Sequence, residues 1–165
     1  MTTIDFYTRC ADPLAVAARL VVKAWGQFGA VRVLTPDAAA TAALDRQLWL
    51  VPATGFVPHC RLDAACAAET PVIVDHALDH QGPASVLVNL HPSPPPFFSR
   101  FERLAEFVSG DDASAAAGRE RWKFYRERGY DTIPARGPLA ALTVPGAVGG
   151  WAVALDAAKS LGGRI

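Results

Sequence analysis

Glycine-rich phosphate loops are missing from this 165-residue chain. No GxGxxG and no GxxxxGK[ST] follows the first strand-like run. The turn at that point reads Thr8-Arg9-Cys10-Ala11-Asp12, with no glycine to let a phosphate approach the backbone. No serine sits in a GxSxG elbow. Net charge is lacking too: 16 Lys and Arg balance 16 Asp and Glu, whereas a general nucleic-acid binder carries a basic excess. Cysteines are only three, Cys10, Cys60 and Cys66, with no CxxC, which argues against a disulfide framework. The start, MTTIDFYTR, has no basic segment followed by an apolar one, so no signal peptide is expected and a reducing cytoplasm is the simplest compartment. Gly137 to Leu155 carries no charge and has the length of a membrane span. Pro138, Pro145, Gly146, Gly149 and Gly150 interrupt it, and the more helical Trp151 to Leu161 includes Asp156 and Lys159. An appended tail with a short docking helix fits better.

What is present suits a single domain. Hydrophobic residues make up 51% of the chain, enough to build a core. Thr3–Tyr7 is rich in β-formers and reads as a strand. Asp12-Pro13 reads as an N-cap followed by proline at the first helical position, and apolar residues then recur at helical spacing until Gly29. Val31–Leu34 is a second strand, and Thr35-Pro36-Asp37 opens a helix that carries Leu44, Leu48 and Trp49. Val72–Val74 and Val86–Leu90 are short apolar runs, expected as strands buried on both faces. His91 to Pro96 is a proline-rich loop. Phe97 or Phe98 to Val108 is amphipathic and reads as helix. Gly110-Asp111-Asp112 caps a last helix from about Ala113 to Arg128, ended by Gly129. Strands alternating with helices predict an α/β layer with a largely parallel sheet.

The last helix holds the densest cluster of charge and aromatic surface, Arg119 to Tyr130. At 100° per residue it gathers Arg119, Trp122, Lys123 and Arg126 on one side. Cations take carboxylates and an indole covers apolar groups, so the stripe suits an acidic partner with an apolar element. The plainer alternative is a solvated face laced by pairs such as Glu120 with Arg121 and Glu127 with Arg128. A second pair of rings, Trp49 and Phe56, flanks a loop with Pro52 and Gly55. They read either as plugs under that loop or as an exposed protein-docking patch.

Signals for catalysis are thin. His76 and His80 stand at i, i+4 with Asp75 and Asp79 beside them, a possible zinc set on a helix. Gly82-Pro83 closes the segment, which favours a loop. Cys10 reads as a buried structural thiol.

Several stretches together resemble one family. These are Ala43-Leu44-Asp45 through Leu48-Trp49, Phe56-Val57-Pro58-His59, Val86 to Leu90, Phe98-Ser99-Arg100-Phe101-Glu102-Arg103, and Ala117-Gly118-Arg119 through Arg126 with Gly129-Tyr130. In this order and spacing, over about residues 1 to 135, they resemble the chi subunit of bacterial DNA polymerase III. Asp5-Phe6-Tyr7 also fits. Residues 136–165 lie outside the family pattern, as an Ala/Gly-rich extension. The resemblance implies a three-layer α/β/α fold, Rossmann-like without a phosphate-binding loop, with no cofactor, metal or catalytic residue. It implies an accessory subunit of the clamp-loader assembly that binds the acidic, Phe-ending C-terminal tail of single-stranded DNA-binding protein. The positions that match the family's tail site are Val108, Arg119, Trp122 and Arg126, with Lys123 between them. Trp122 stands where a tyrosine is frequent, and Ala115 stands where the family has a further lysine. A second face, which binds the psi subunit, maps onto Trp49 and Phe56. The rival readings are a metal- or nucleotide-dependent α/β hydrolase using His76, His80 and Asp79, and direct single-strand binding by Arg119, Lys123 and Trp122.

Overall fold

The computed structural model describes residues 2–83 and 85–135, apart from the side chains of Arg9 and Ala135. The expected extension at 136–165 and its docking helix lie outside the described residues. Among the described residues seven strands form one sheet: β1 Thr3–Cys10, β2 Val31–Leu34, β3 His59–Cys60, β4 Val72–Asp75, β5 Val86–Asn89, β6 Arg103–Ser109 and β7 Thr132–Ala135. Their spatial order is β3-β4-β2-β5-β6-β1-β7, and every pairing is parallel. Among the described residues three α-helices complete it: α1 Pro13–Phe28, α2 Ala38–Leu48 and α3 Asp112–Glu127. Each starts on an aspartate whose carboxylate accepts from a first-turn N–H: Asp12 from Ala15, Asp37 from Ala40 and Asp111 from Ser114.

The sheet separates two apolar cores, and strand alternation decides which residue enters which. Val31, Val33, Val86, Val88, Ala105 and Phe107 face α1 and α2. Ile4, Phe6, Leu87, Leu104 and Val108 face α3 and the turn at Phe98–Arg100. This is the three-layer α/β/α arrangement the sequence suggests. β2, β4 and β5 are buried throughout, with Arg32, Asp75 and Asn89 buried among their apolar residues. No helix among the described residues is long and apolar enough to cross a membrane.

One expected helix is a strand. Only Phe98–Arg100 makes a 3-10 turn, and Arg103–Ser109 is β6, the strand between β5 and β1. Ser99, Arg100, Glu102, Arg103 and Glu106 together give the run its amphipathic look, yet the first three precede the strand and Glu106 is fully buried within it. β3 and β7 carry too little pattern to be read from sequence. β3 is two residues long, and β7 holds Pro134, which an edge strand tolerates.

Candidate functional site: a notch beside the last helix and an aromatic face

The last helix is fixed to the sheet by a buried polar cluster. Asn89 and Glu106 are register partners on β5 and β6. Glu106 accepts from Arg121 Nε at 2.7 Å, Tyr125 Oη at 2.6 Å and Asn89 Nδ2 at 3.0 Å. The remaining guanidinium nitrogens of Arg121 donate to the Pro92 and Phe107 carbonyls, both at 2.9 Å. Burial pushes the Glu106 carboxyl up, while Arg121, Tyr125 and Asn89 pull it back. Burial and the Glu106 charge push the Tyr125 phenol up, so it stays a donor. Arg121, which the sequence offers as part of a solvated charge lace with Glu120, is therefore interior. It orients α3 and ties the proline loop to it.

That anchoring leaves an open notch of about 450 Å³ along one flank of α3. Phe6 and Thr8 of β1, Val108 of β6 and Pro134 of β7 form the sheet side, and Ala115, Gly118, Arg119 and Trp122 form the helix side. Its apolar floor is shallow because α3 comes close. A Cβ on Gly118 would lie 2.6 Å from Val108 Cγ2. Trp122 is half-buried and sets its ring edge-on to Phe6, centroids 5.0 Å apart, so its orientation is fixed by packing. Arg119 and Arg126 are exposed, and neither is in an ion pair with a described residue. Arg119 stands about two turns beyond the helix start, past the reach of the macrodipole.

The four stripe residues do not all converge. Val108, Arg119 and Trp122 meet at the notch, with Ala115 where a further cation would sit. Arg126 continues along the exposed side of α3. Lys123 lines the groove on the opposite flank, beside Pro92, Phe124 and Arg128, and lies 3.9 Å from Glu127. Arg128 does not pair with Glu127; its guanidinium lies 3.6 Å over the Phe124 ring.

At the far edge of the sheet, Trp49 and Phe56 form an exposed pair. Their ring centroids are 5.4 Å apart, and they are 62% and 57% exposed, with Leu50 beside them in sequence at 71%. Plugs under a loop would be hidden, so these rings are not core plugs. A Cβ at Gly55 would meet Pro52 Cγ at 2.7 Å, so the loop between the two rings closes tightly only with glycine there. His59 braces Trp49 edge-on at 5.2 Å and lies 3.3 Å from Asp45 on α2.

His76 and His80, the possible zinc set, have separate surroundings. His76 Nδ1 lies 3.4 Å from Thr41 Oγ1 and 3.5 Å from Asp75. His80 is buried, 4.6 Å from the Phe101 ring, and desolvation then the Arg32 charge hold its imidazole below the usual range. Among the described residues no group of three or more His, Cys, Asp or Glu could hold a metal ion.

The architecture defines a class: a layered parallel α/β protein whose sequence carries no phosphate loop. Comparison with known proteins narrows it. The family model described as "DNA polymerase III chi subunit, HolC" matches residues 1–132. The sequence is similar to DNA polymerase III subunit chi of Pseudomonas aeruginosa, 37% identical over 134 residues, covering 79% of this chain and 93% of that one. It is 26% identical to the subunit of the same name in Escherichia coli, over 79% of this chain and 87% of that one. The crystal structure of T4 UvsW shares the fold, with a TM-score of 0.62 at 7% identity, covering 82% of this chain and 41% of that one. The chain belongs to the DNA polymerase III chi subunit family. Membership assigns it to DNA replication, within a polymerase complex.

Proposed function

We propose that this chain is a non-catalytic coupling subunit. It holds the polymerase assembly to single-stranded DNA-binding protein by capturing that protein's acidic, Phe-ending C-terminal tail in the notch. The observation that carries the reading is the pairing of an apolar floor, Val108 and Trp122, with the exposed guanidinium of Arg119 at its rim. The terminal Phe ring enters over Val108 against Trp122. The terminal carboxylate takes the two-pronged hydrogen bond that arginine offers and lysine does not. Arg126, farther along the exposed side, serves the tail's upstream acids. Capture of this kind is weak for one tail. Several tails on a coated strand raise the local concentration of the assembly without any new contact. The Trp49–Phe56 face is the second docking site, for psi or an equivalent clamp-loader component. Exposed neighbouring aromatic rings are preferred interface anchors, which supports that assignment.

The test is a titration of the chain against a fluorescent acidic peptide ending in Phe, made with a free or an amidated C-terminus. The free acid should bind, bind less as salt rises, and lose most affinity on amidation. Equal binding of the two peptides removes the carboxylate anchor. Binding of an unrelated single-stranded oligonucleotide in place of the peptide would favour direct strand contact.

A further inference from the structure

One imidazole joins the two chain segments that carry the exposed rings. Trp49 caps α2, and Asp45 stands one turn earlier on the same helix, so their i, i+4 spacing puts both on one side. Phe56 belongs to the segment that leads into β3, whose first residue is His59. The His59 ring, only 1% exposed, reaches both segments. Its Nδ1 lies 2.7 Å from the carbonyl of Val57, the residue after Phe56. Its Nε2 lies 3.3 Å from the Asp45 carboxylate, and the ring stands edge-on to the Trp49 indole. A carbonyl oxygen only accepts, so Nδ1 carries a hydrogen. Nε2 is shut away from water and makes an ion-pair contact with Asp45 rather than an aligned hydrogen bond. In a neutral ring Nε2 would turn a lone pair on that carboxylate, whereas in an imidazolium both nitrogens present N–H groups to acceptors. Other charges leave this contact alone. Residues 50–58 include no ionisable side chain. The register partner of His59 on β4 is Val72, and the carboxylate at the end of β4, Asp75, is held by the Leu62 and Ala77 N–H groups and Arg61. Arg46 projects about 100° around α2 from Asp45.

We propose that Asp45 and His59 are positioning residues of the aromatic face, which hold Trp49 in its docking orientation while the His59 ring is protonated. The inference deepens the docking reading of Trp49 and Phe56 and rests on it. Protonated, the ring ties the end of α2 to the segment after Phe56 and keeps the two aromatic rings 5.4 Å apart as one surface. Anchors set in place beforehand spare a partner the cost of ordering them. When Nε2 gives up its proton, the hydrogen bond to Val57 remains but the hold on Asp45 is lost. The Asp45 side chain is 45% exposed, so its carboxylate is free to turn to water, and Trp49 loses its brace. The face is therefore set at lower pH and loosened at higher pH.

The experiment follows the full chain alone by NMR over about pH 5–8, where imidazoles change charge. It reads the His59 ring carbons and nitrogens and the Trp49 indole N–H, assigned with His59→Gln and Trp49→Phe. In wild type the neutral ring should carry its hydrogen on Nδ1, and the Trp49 signal should move along the same curve as the His59 ring. In Asp45→Asn the ring should still titrate while the Trp49 signal loses most of that movement. Asp45→Glu, which keeps the carboxylate, should retain it. A Trp49 signal that stays still while His59 titrates, one that moves as far in Asp45→Asn as in wild type, or a neutral ring with its hydrogen on Nε2 overturns the proposal. Circular dichroism of the variants excludes unfolding as the cause. No partner is present, so these outcomes hold whether or not the face docks one; the docking reading stands or falls on the double variant Trp49→Ala with Phe56→Ala.

Discussion

Val108 and Gly118 meet across the contact between β6 and α3, and only a hydrogen at position 118 leaves room. A Cβ there would stand 2.6 Å from Val108 Cγ2 and 3.1 Å from Cγ1. Val108 is buried and stiff at χ1, so it cannot simply turn aside. Gly118→Ala gains about 1 kcal/mol of helix propensity. Overpacking costs about 1–3 kcal/mol, so a net loss of up to about 2 kcal/mol is expected in urea unfolding. The helix must also lift, which should weaken peptide binding in the notch.

Arg121→Ala leaves the Glu106 carboxylate buried without its cation, a loss expected at about 3–5 kcal/mol. Tyr125→Phe removes one hydrogen bond to a charged group, about 1.5–3 kcal/mol. In the Arg121→Ala protein the Glu106 carboxyl rises further above its unfolded value. An acid raised in this way contributes stability below its unfolded value and loses it as pH rises through the folded one. That variant should therefore be most stable in mild acid, which denaturant titrations at several pH values would show.

Asp75 behaves oppositely. Burial alone would raise its carboxyl, but the N–H groups of Ala77 and Leu62, at 2.9 and 3.1 Å, with Arg61 and Arg32, lower it on balance. A lowered acid contributes stability above its unfolded value, about 3.9, and loses it as pH falls through the folded one. Asp75→Asn should be less stable than wild type near neutral pH, and the two should converge in strong acid. A gap that persists unchanged in acid would show that the charge is not what matters.

Trp49→Ala with Phe56→Ala separates docking from packing. Both rings are mostly exposed, so the double variant should stay within about 0.5 kcal/mol of wild type per site. Binding to a clamp-loader partner should fall well beyond that. A large stability loss would mean that the rings brace the loop instead.

Sequence carried the helix caps and the short buried strands because aspartate caps and short runs rich in β-branched residues are local signals. Helical periodicity likewise put Arg119 and Trp122 on one side of α3, whereas the Trp49 and Phe56 rings stayed open between plug and patch until their exposure was seen. Sequence failed where meaning depended on a partner far along the chain. Glu106 and Arg121 look like surface charges until each is seen to neutralise the other inside. That pairing explains the solvated face expected at Arg121, and the burial of Glu106 removes part of the polar pattern that suggested a helix where β6 lies. Lys123 shares the stripe's angle with Arg119, but its place on the opposite groove is set by how α3 rolls onto the sheet, which Gly118 and Arg121 decide.

That roll gives the sharpest test of the notch. Arg119 lines it and has no ion-pair partner among the described residues, whereas Lys123 lines the other flank and stands near Glu127. Removing Arg119 should therefore remove a charge-assisted bond to the peptide's terminal carboxylate, about 1.5–3 kcal/mol, or roughly tenfold to a hundredfold in Kd. Lys123→Ala touches only an exposed pair and should change affinity by less than about 1 kcal/mol. Arg119→Lys keeps the charge but not the fork, so it should fall between Arg119→Ala and wild type. The measurement is the same fluorescence titration for wild type and the three variants at low and moderate salt. Wild-type affinity in Arg119→Ala, or a larger loss in Lys123→Ala than in Arg119→Ala, would move the anion site to the other groove and away from Val108 and Trp122.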